Sequence, residues 1–176
     1  IDSACIGNNE LDHGWANISE QIKTADFPHL HGNLFFEGTD DLVWDNPYLI
    51  LERAGLKIGI IGLHGKFAFY DTINFKMTEG IEARDEEEYL RQYIKELEPI
   101  TDIIILAVHQ GMPGRQSTIG LTDVERNLYK DILLAQNVPG VDIIVTGHAH
   151  QGTEKALVSN GTIIVSTNAT ATELGK

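Results

Sequence analysis

Val141-Asp142-Ile143-Ile144-Val145-Thr146-Gly147-His148-Ala149-His150 joins a run of β-branched residues to a turn that carries two imidazoles. The run predicts a buried strand, and the Gly-His-Ala-His turn falls at its carboxyl end. Open α/β sheets build their sites at that end of their strands. Histidines at i and i+2 of a short loop aim at neighbouring points, and neutral imidazole is a common ligand for zinc-like metals. Surface loops hold such pairs without purpose, so the stretch gains meaning only from similar groups at other strand ends.

Two more strand ends supply them. Ile103-Ile104-Ile105-Leu106-Ala107-Val108 is a second buried-strand run, with His109 at its carboxyl end before the loop-type sequence Gln110-Gly111-Met112-Pro113-Gly114. Ala4-Cys5-Ile6 leads into Gly7-Asn8-Asn9-Glu10-Leu11-Asp12, a third strand end followed by a polar turn. Around these, the patterning predicts a short helix over 13–23, a short strand over 27–30, and a hairpin of 48–53 with a buried second arm over 56–63. A helix over 82–98 buries Tyr89, Leu90, Tyr93, Ile94 and Leu97, carries Asp85-Glu86-Glu87-Glu88 in its first turns, and ends at Pro99. A second helix over 122–136, capped by Thr122 or Asp123, buries Val124, Leu128, Ile132 and Leu133. The segments 154–158 and 162–166 form a hairpin about a type I′ Asn160-Gly161 turn. Strands alternating with helices, plus two hairpins, predict an α/β domain with mixed sheets.

With 176 residues, 42% of them hydrophobic, the chain reads as one globular domain, or most of one. A formal charge of -13 argues against a nucleic acid partner, and at long range it repels phosphorylated substrates unless bound cations offset it. The lone Cys5 leaves no intrachain disulfide, and the longest apolar runs have strand length, so no membrane-spanning segment is expected. Ile1 runs straight into a strand and Lys176 follows closely on a strand pair, which reads as a domain incomplete at both ends.

Gly7-Asn8-Asn9-Glu10-Leu11-Asp12-His13-Gly14 resembles the Gly-Asn-His-Glu-Phe-Asp-Tyr-Gly signature of the 5′-nucleotidase branch of the calcineurin-like metallophosphoesterases. His109 and Gly147-His148-Ala149-His150 resemble that family's later ligand motifs in the same order, and Tyr48-Leu49-Ile50 with 57–63 resembles its middle hairpin. The resemblance implies a four-layer sandwich, two mixed β-sheets flanked by helices, and hydrolysis of phosphate esters with two divalent metals such as Mn or Zn. It implies one catalytic domain over 1–176, without its first strands and without a C-terminal specificity domain. The substrate class it implies is nucleoside 5′-monophosphates or related nucleotides. A 2′,3′-cyclic-nucleotide phosphodiesterase of the same fold, or a non-catalytic metal- or ligand-binding relative, is the alternative. A periplasmic, extracellular or cell-surface location is what the family leads one to expect.

By the same resemblance Asn8, His109 and His148 ligate one metal and His150 belongs to the other. The family's catalytic histidine is Asn9 in this chain, and the aspartate that orients it is Asp12. The family's Asp-X-His and Gly-Asp ligands have no counterpart after Ile1, so at most one well-formed site is expected. An amide cannot serve as a general acid, which puts the chain's own activity in doubt. The residues themselves leave other readings open: Asn8 and Asn9 as turn residues, Asp12 as a helix cap, and His64, His29, His31 and His13 as packing or surface groups.

Overall fold

The computed structural model describes residues 1–110 and 120–171. The loop expected over 110–114 therefore lies, beyond Gln110, outside the described residues.

Four apolar runs make the centre of the molecule: β5 (Leu56–His64), β7 (Ile103–His109), β8 (Ile143–Gly147) and β10 (Thr162–Val165). They pair in parallel, in the order β5-β7-β8-β10. Antiparallel β4 (Tyr48–Arg53) and β9 (Leu157–Ser159) close the two edges of this six-stranded mixed sheet. Near-continuous aliphatic runs are what central parallel strands require, because both of their faces meet other protein. Each edge strand enters by a tight turn of left-handed residues, Ala54-Gly55 on one side and Asn160-Gly161 on the other.

Ile61, Leu63, Leu106, Val108, Ile144 and Ile164 form one core with α3 (Glu86–Leu97) and α5 (Tyr129–Asn137), which cover one face of the sheet. On the other face β1 (Ala4–Cys5) pairs in parallel with β2 (His29–Leu30) and lies over β5 and β7. The approach is close: a Cβ at Gly62 would stand 2.4 Å from Leu30 backbone and side-chain atoms. A second core gathers Leu11, Leu34, Phe69, Ile73, Ile81 and Ala83 beneath the antiparallel pair β3 (Leu34–Phe36) and β6 (Ile81–Ala83). It is flanked by α1 (Trp15–Ile22) and α2 (Lys66–Thr72). The α/β class with mixed strands and flanking helices matches the expectation. In place of one continuous second sheet, the described residues form two short pairs, β1-β2 and β3-β6.

Two helix readings are corrected. Residues 81–83 are strand rather than helix, because Ile81 and Ala83 alternate inward against β3 and Asp85 caps the helix through the amides of Glu87 and Glu88. The helix expected over 122–136 is two helices, α4 (Asp123–Asn127) and α5, broken at the buried Leu128. Thr122 caps α4 with a capping box to Glu125. The fully buried side chains of this region are Leu128, Asp131, Leu134 and Ala135; Val124, Ile132 and Leu133 are half-buried, Ile132 against the main core.

Candidate functional site

Strand register brings the site together. His64 on β5 stands opposite His109 on β7, and His109 stands opposite Gly147 on β8, so three strand ends finish level with one another. Asn8 reaches the same place from the end of β1, as the residue before a short 3-10 turn at Asn9–Leu11. The Glu10 carboxylate accepts from the Gly7 amide at 2.8 Å and closes this turn.

Asn8, His109 and His148 converge. His109 Nε2 lies 2.7 Å from Asn8 Oδ1, His148 Nδ1 lies 3.1 Å from the same oxygen, and the two ring nitrogens are 3.1 Å apart. Donors bound to one cation at about 2.1 Å and at right angles stand roughly 3.0 Å apart, so the triangle has the edge lengths of one face of a coordination shell. Two glycines make room for it. A Cβ at Gly7 would come within 2.7 Å of the His109 ring, and one at Gly147 within 3.2 Å.

The electrostatics favour neutral rings. Burial, then the neighbouring His64, His148 and His150, lower the His109 pKa to about 3. Burial and then His150 lower that of His148. Neutral imidazole is the form that binds a metal. The set is uncharged throughout, and among the described residues no group of three or more His, Cys, Asp or Glu side chains converges to hold an ion. The residues present thus suit one cation held by nitrogen and amide oxygen, with no carboxylate to balance its charge.

The remaining candidates are not members of this triangle. His150 is exposed on the same loop, and both His148 and His150 hold left-handed backbone, with φ of 83° and 53°. Asn9 is exposed, and its Oδ1 accepts from Asn8 Nδ2 at 2.8 Å, which turns the Asn8 oxygen toward the imidazoles. Asp12 is exposed and its side chain makes no hydrogen bond to Asn9 among the described residues. It does not cap α1 either, whose N-cap is Gly14. Burial pushes the Cys5 thiol up to about 12, and its Sγ rests against the Leu63 carbonyl.

Behind the triangle stand His64 and His31, read from the sequence as packing or surface groups, and Gln110 and Asp131, which the sequence reading did not single out for the site. His64 is fully buried, its ring 5.5 Å from that of His109, with Nδ1 on the Gly65 carbonyl and Nε2 unpaired. Burial lowers its pKa to about 4. His31, also buried, stacks 6.0 Å from His64, and neither of its nitrogens has a well-formed hydrogen bond. Gln110, the residue after His109, gives its side-chain N–H to Asp131 at 2.9 Å, both groups buried. Asp131 carried a signal in the sequence: it sits three residues from both Leu128 and Leu134, on the apolar side of its helix.

Neutral nitrogen and oxygen donors gathered at adjoining strand ends of a mixed α/β sheet make a candidate metal site. The sequence profile of the calcineurin-like phosphoesterases matches residues 3–152, and the chain belongs to that family. It is 31% identical over 159 residues to the protein UshA of Yersinia enterocolitica, a match that spans 84% of this chain and 26% of that protein. It is 30% identical over 159 residues to a 5′-nucleotidase of Vibrio cholerae, spanning 85% of this chain and 26% of the relative. The chain thus spans about a quarter of the length of these relatives. In fold it matches the sulfate thiohydrolase SoxB of Thermus thermophilus with a TM-score of 0.79 at 19% identity, covering 96% of this chain and 28% of the other.

Proposed function

We propose that Asn8, His109 and His148 hold one divalent cation, Mn²⁺ or Zn²⁺ in character, in the catalytic domain of a phosphohydrolase acting on nucleoside 5′-monophosphates. The observation that carries the reading is the triangle of Asn8 Oδ1, His109 Nε2 and His148 Nδ1, with sides of 2.7 to 3.1 Å. The 5′-nucleotidase relative supports the substrate class. When bound, such an ion polarises a phosphoryl oxygen and offsets negative charge as it builds up. In a chain of formal charge -13 it also supplies the local positive field that a phosphate needs. His109 and His148 contribute as neutral donors fixed by their strand ends, and Asn8 contributes an oxygen whose direction Asn9 sets. Asn9 itself has no proton to give a leaving group at neutral pH. His150, on the exposed part of the same loop, is assigned to a second ion whose other ligands are not among the described residues.

Calorimetric titration with Zn²⁺ tests the reading. One site per chain is expected, weakened at least tenfold by His109→Ala or His148→Ala. Two tight sites, or a site indifferent to both changes, overturns it. Product formation is measured beside it, as inorganic phosphate from AMP and p-nitrophenyl phosphate and as nucleoside monophosphate from 2′,3′-cyclic AMP, and of the two nucleotides AMP is expected to lead. A general acid contributes about 10²–10⁴-fold. Asn9→His should therefore speed AMP hydrolysis by up to that order once the metal centre is complete. It should leave p-nitrophenyl phosphate, whose leaving group needs no proton, nearly unchanged.

A further inference from the structure

His109 ends β7 and His148 follows β8, and the pairing of these two strands stops at His109 and Gly147. Asp131 reaches both. It lies in the first turn of α5, and its side chain is only 2% exposed. Gln110, which directly follows His109, donates Nε2–H to Asp131 Oδ1 at 2.9 Å. Thr146, two residues before His148, is buried beside the same carboxylate and interacts with it electrostatically, while its hydroxyl donates to the Gly147 carbonyl at 3.5 Å. Gln110 and Thr146 are themselves 3% and 7% exposed, so both contacts are made away from water, where a lost partner is costly. The break at Leu128 starts α5 afresh, which sets Asp131 in its first turn, where the free backbone amides suit a carboxylate.

We propose that Asp131 is a positioning residue: through its bond to Gln110 and its buried contact with Thr146 it holds the ends of β7 and β8 together and sets the separation of the His109 and His148 ring nitrogens. Its functional meaning rests on the reading that these two rings share an ion, but its structural content does not. Partners that orient metal ligands are typically worth roughly 10–100-fold in metal affinity.

The experiment therefore has a metal-free arm and a metal arm. In the metal-free arm, histidine ring carbon–proton resonances are recorded for wild type, Asp131→Ala, Asp131→Asn and Thr146→Val. Asp131→Ala should move the rings of both His109 and His148, although Asp131 is far from each in sequence. Asp131→Asn keeps an acceptor for Gln110 and should move His109 less than the alanine variant does. Thr146→Val cuts one arm only and should disturb His148 more than His109. Should the alanine variant fail to fold, the other two still decide. A folded Asp131→Ala chain with both rings in place, or Thr146→Val with His148 unmoved, overturns the inference. In the metal arm, Zn²⁺ affinity should fall roughly 10–100-fold in Asp131→Ala. If wild type binds no Zn²⁺ while the ring shifts appear as described, the metal reading fails and the positioning role stands.

Discussion

His148 carries its imidazole on left-handed backbone, φ 83°, which side chains with a Cβ adopt at a cost and glycine adopts freely. Such strain collects at functional sites, where surrounding structure holds it in place. Replacing the histidine by glycine should relieve it and replacing it by alanine should not, although both remove the imidazole. His148→Gly is expected to be more stable than His148→Ala by about 1 kcal/mol in denaturant unfolding, and both should bind Zn²⁺ equally poorly. Equal unfolding midpoints would show that the loop relaxes to another conformation when the ring is lost. The residue scale is also where the sequence was most readable for the site. Asn8, His109 and His148 stood out because each ends an apolar strand run, and the structure brings these three together. The role given to Asp12 was not legible, because whether a carboxylate in a turn touches its neighbour depends on side-chain directions that spacing does not fix.

Among elements, the layer formed by β1 and β2 depends on one glycine. Gly62 turns its missing side chain toward Leu30, so Gly62→Ala would press a methyl group into the β2 backbone at 2.4 Å. Backbone cannot step aside as a side chain can, and overpacking of this kind costs about 1–3 kcal/mol. The variant should unfold at a lower temperature than wild type, and amides of β1 and β2 should exchange faster than those of β7 and β8. Uniform acceleration across all strands would mean that the layer is not separately hinged on Gly62. The central strands were legible because β-branched runs bounded by Gly, His or Asp leave few alternatives. The break at Leu128 was not, since helical periodicity runs unbroken through residues 122–136 and only the buried Asp131 interrupts its apolar face. Strand β6 was missed for a related reason: its partner β3 lies far away in the sequence, and Glu82 and Ala83 favour helix by composition.

For the molecule as a whole, buried ionisable groups set the response to acid. Burial holds the His31 pKa well below its ordinary 6.5, countered only in part by the nearby Ile6 backbone. Below pH 6.5 the unfolded chain takes up a proton that folded His31 refuses, so this contribution to stability is complete above 6.5 and is lost as pH falls. Asp131 acts in the opposite direction: burial raises its carboxyl from 3.8 to about 6, so its contribution declines as pH rises between those values. Phenylalanine matches the shape of His31, which packs on Trp44, and carries no unpaired nitrogen. His31→Phe should therefore gain on wild type steadily from pH 7 to pH 5 in urea unfolding, and parallel curves would show that His31 does not titrate with unfolding. The triangle at the strand ends has one more consequence. Its members are 39, 101 and 140 residues apart along the chain, so an ion seated there would act as a clasp on a long loop. Closing loops of that length costs the unfolded ensemble several kcal/mol of chain entropy. An ion bound there would therefore staple the two ends of the described fold and its middle strand to one point.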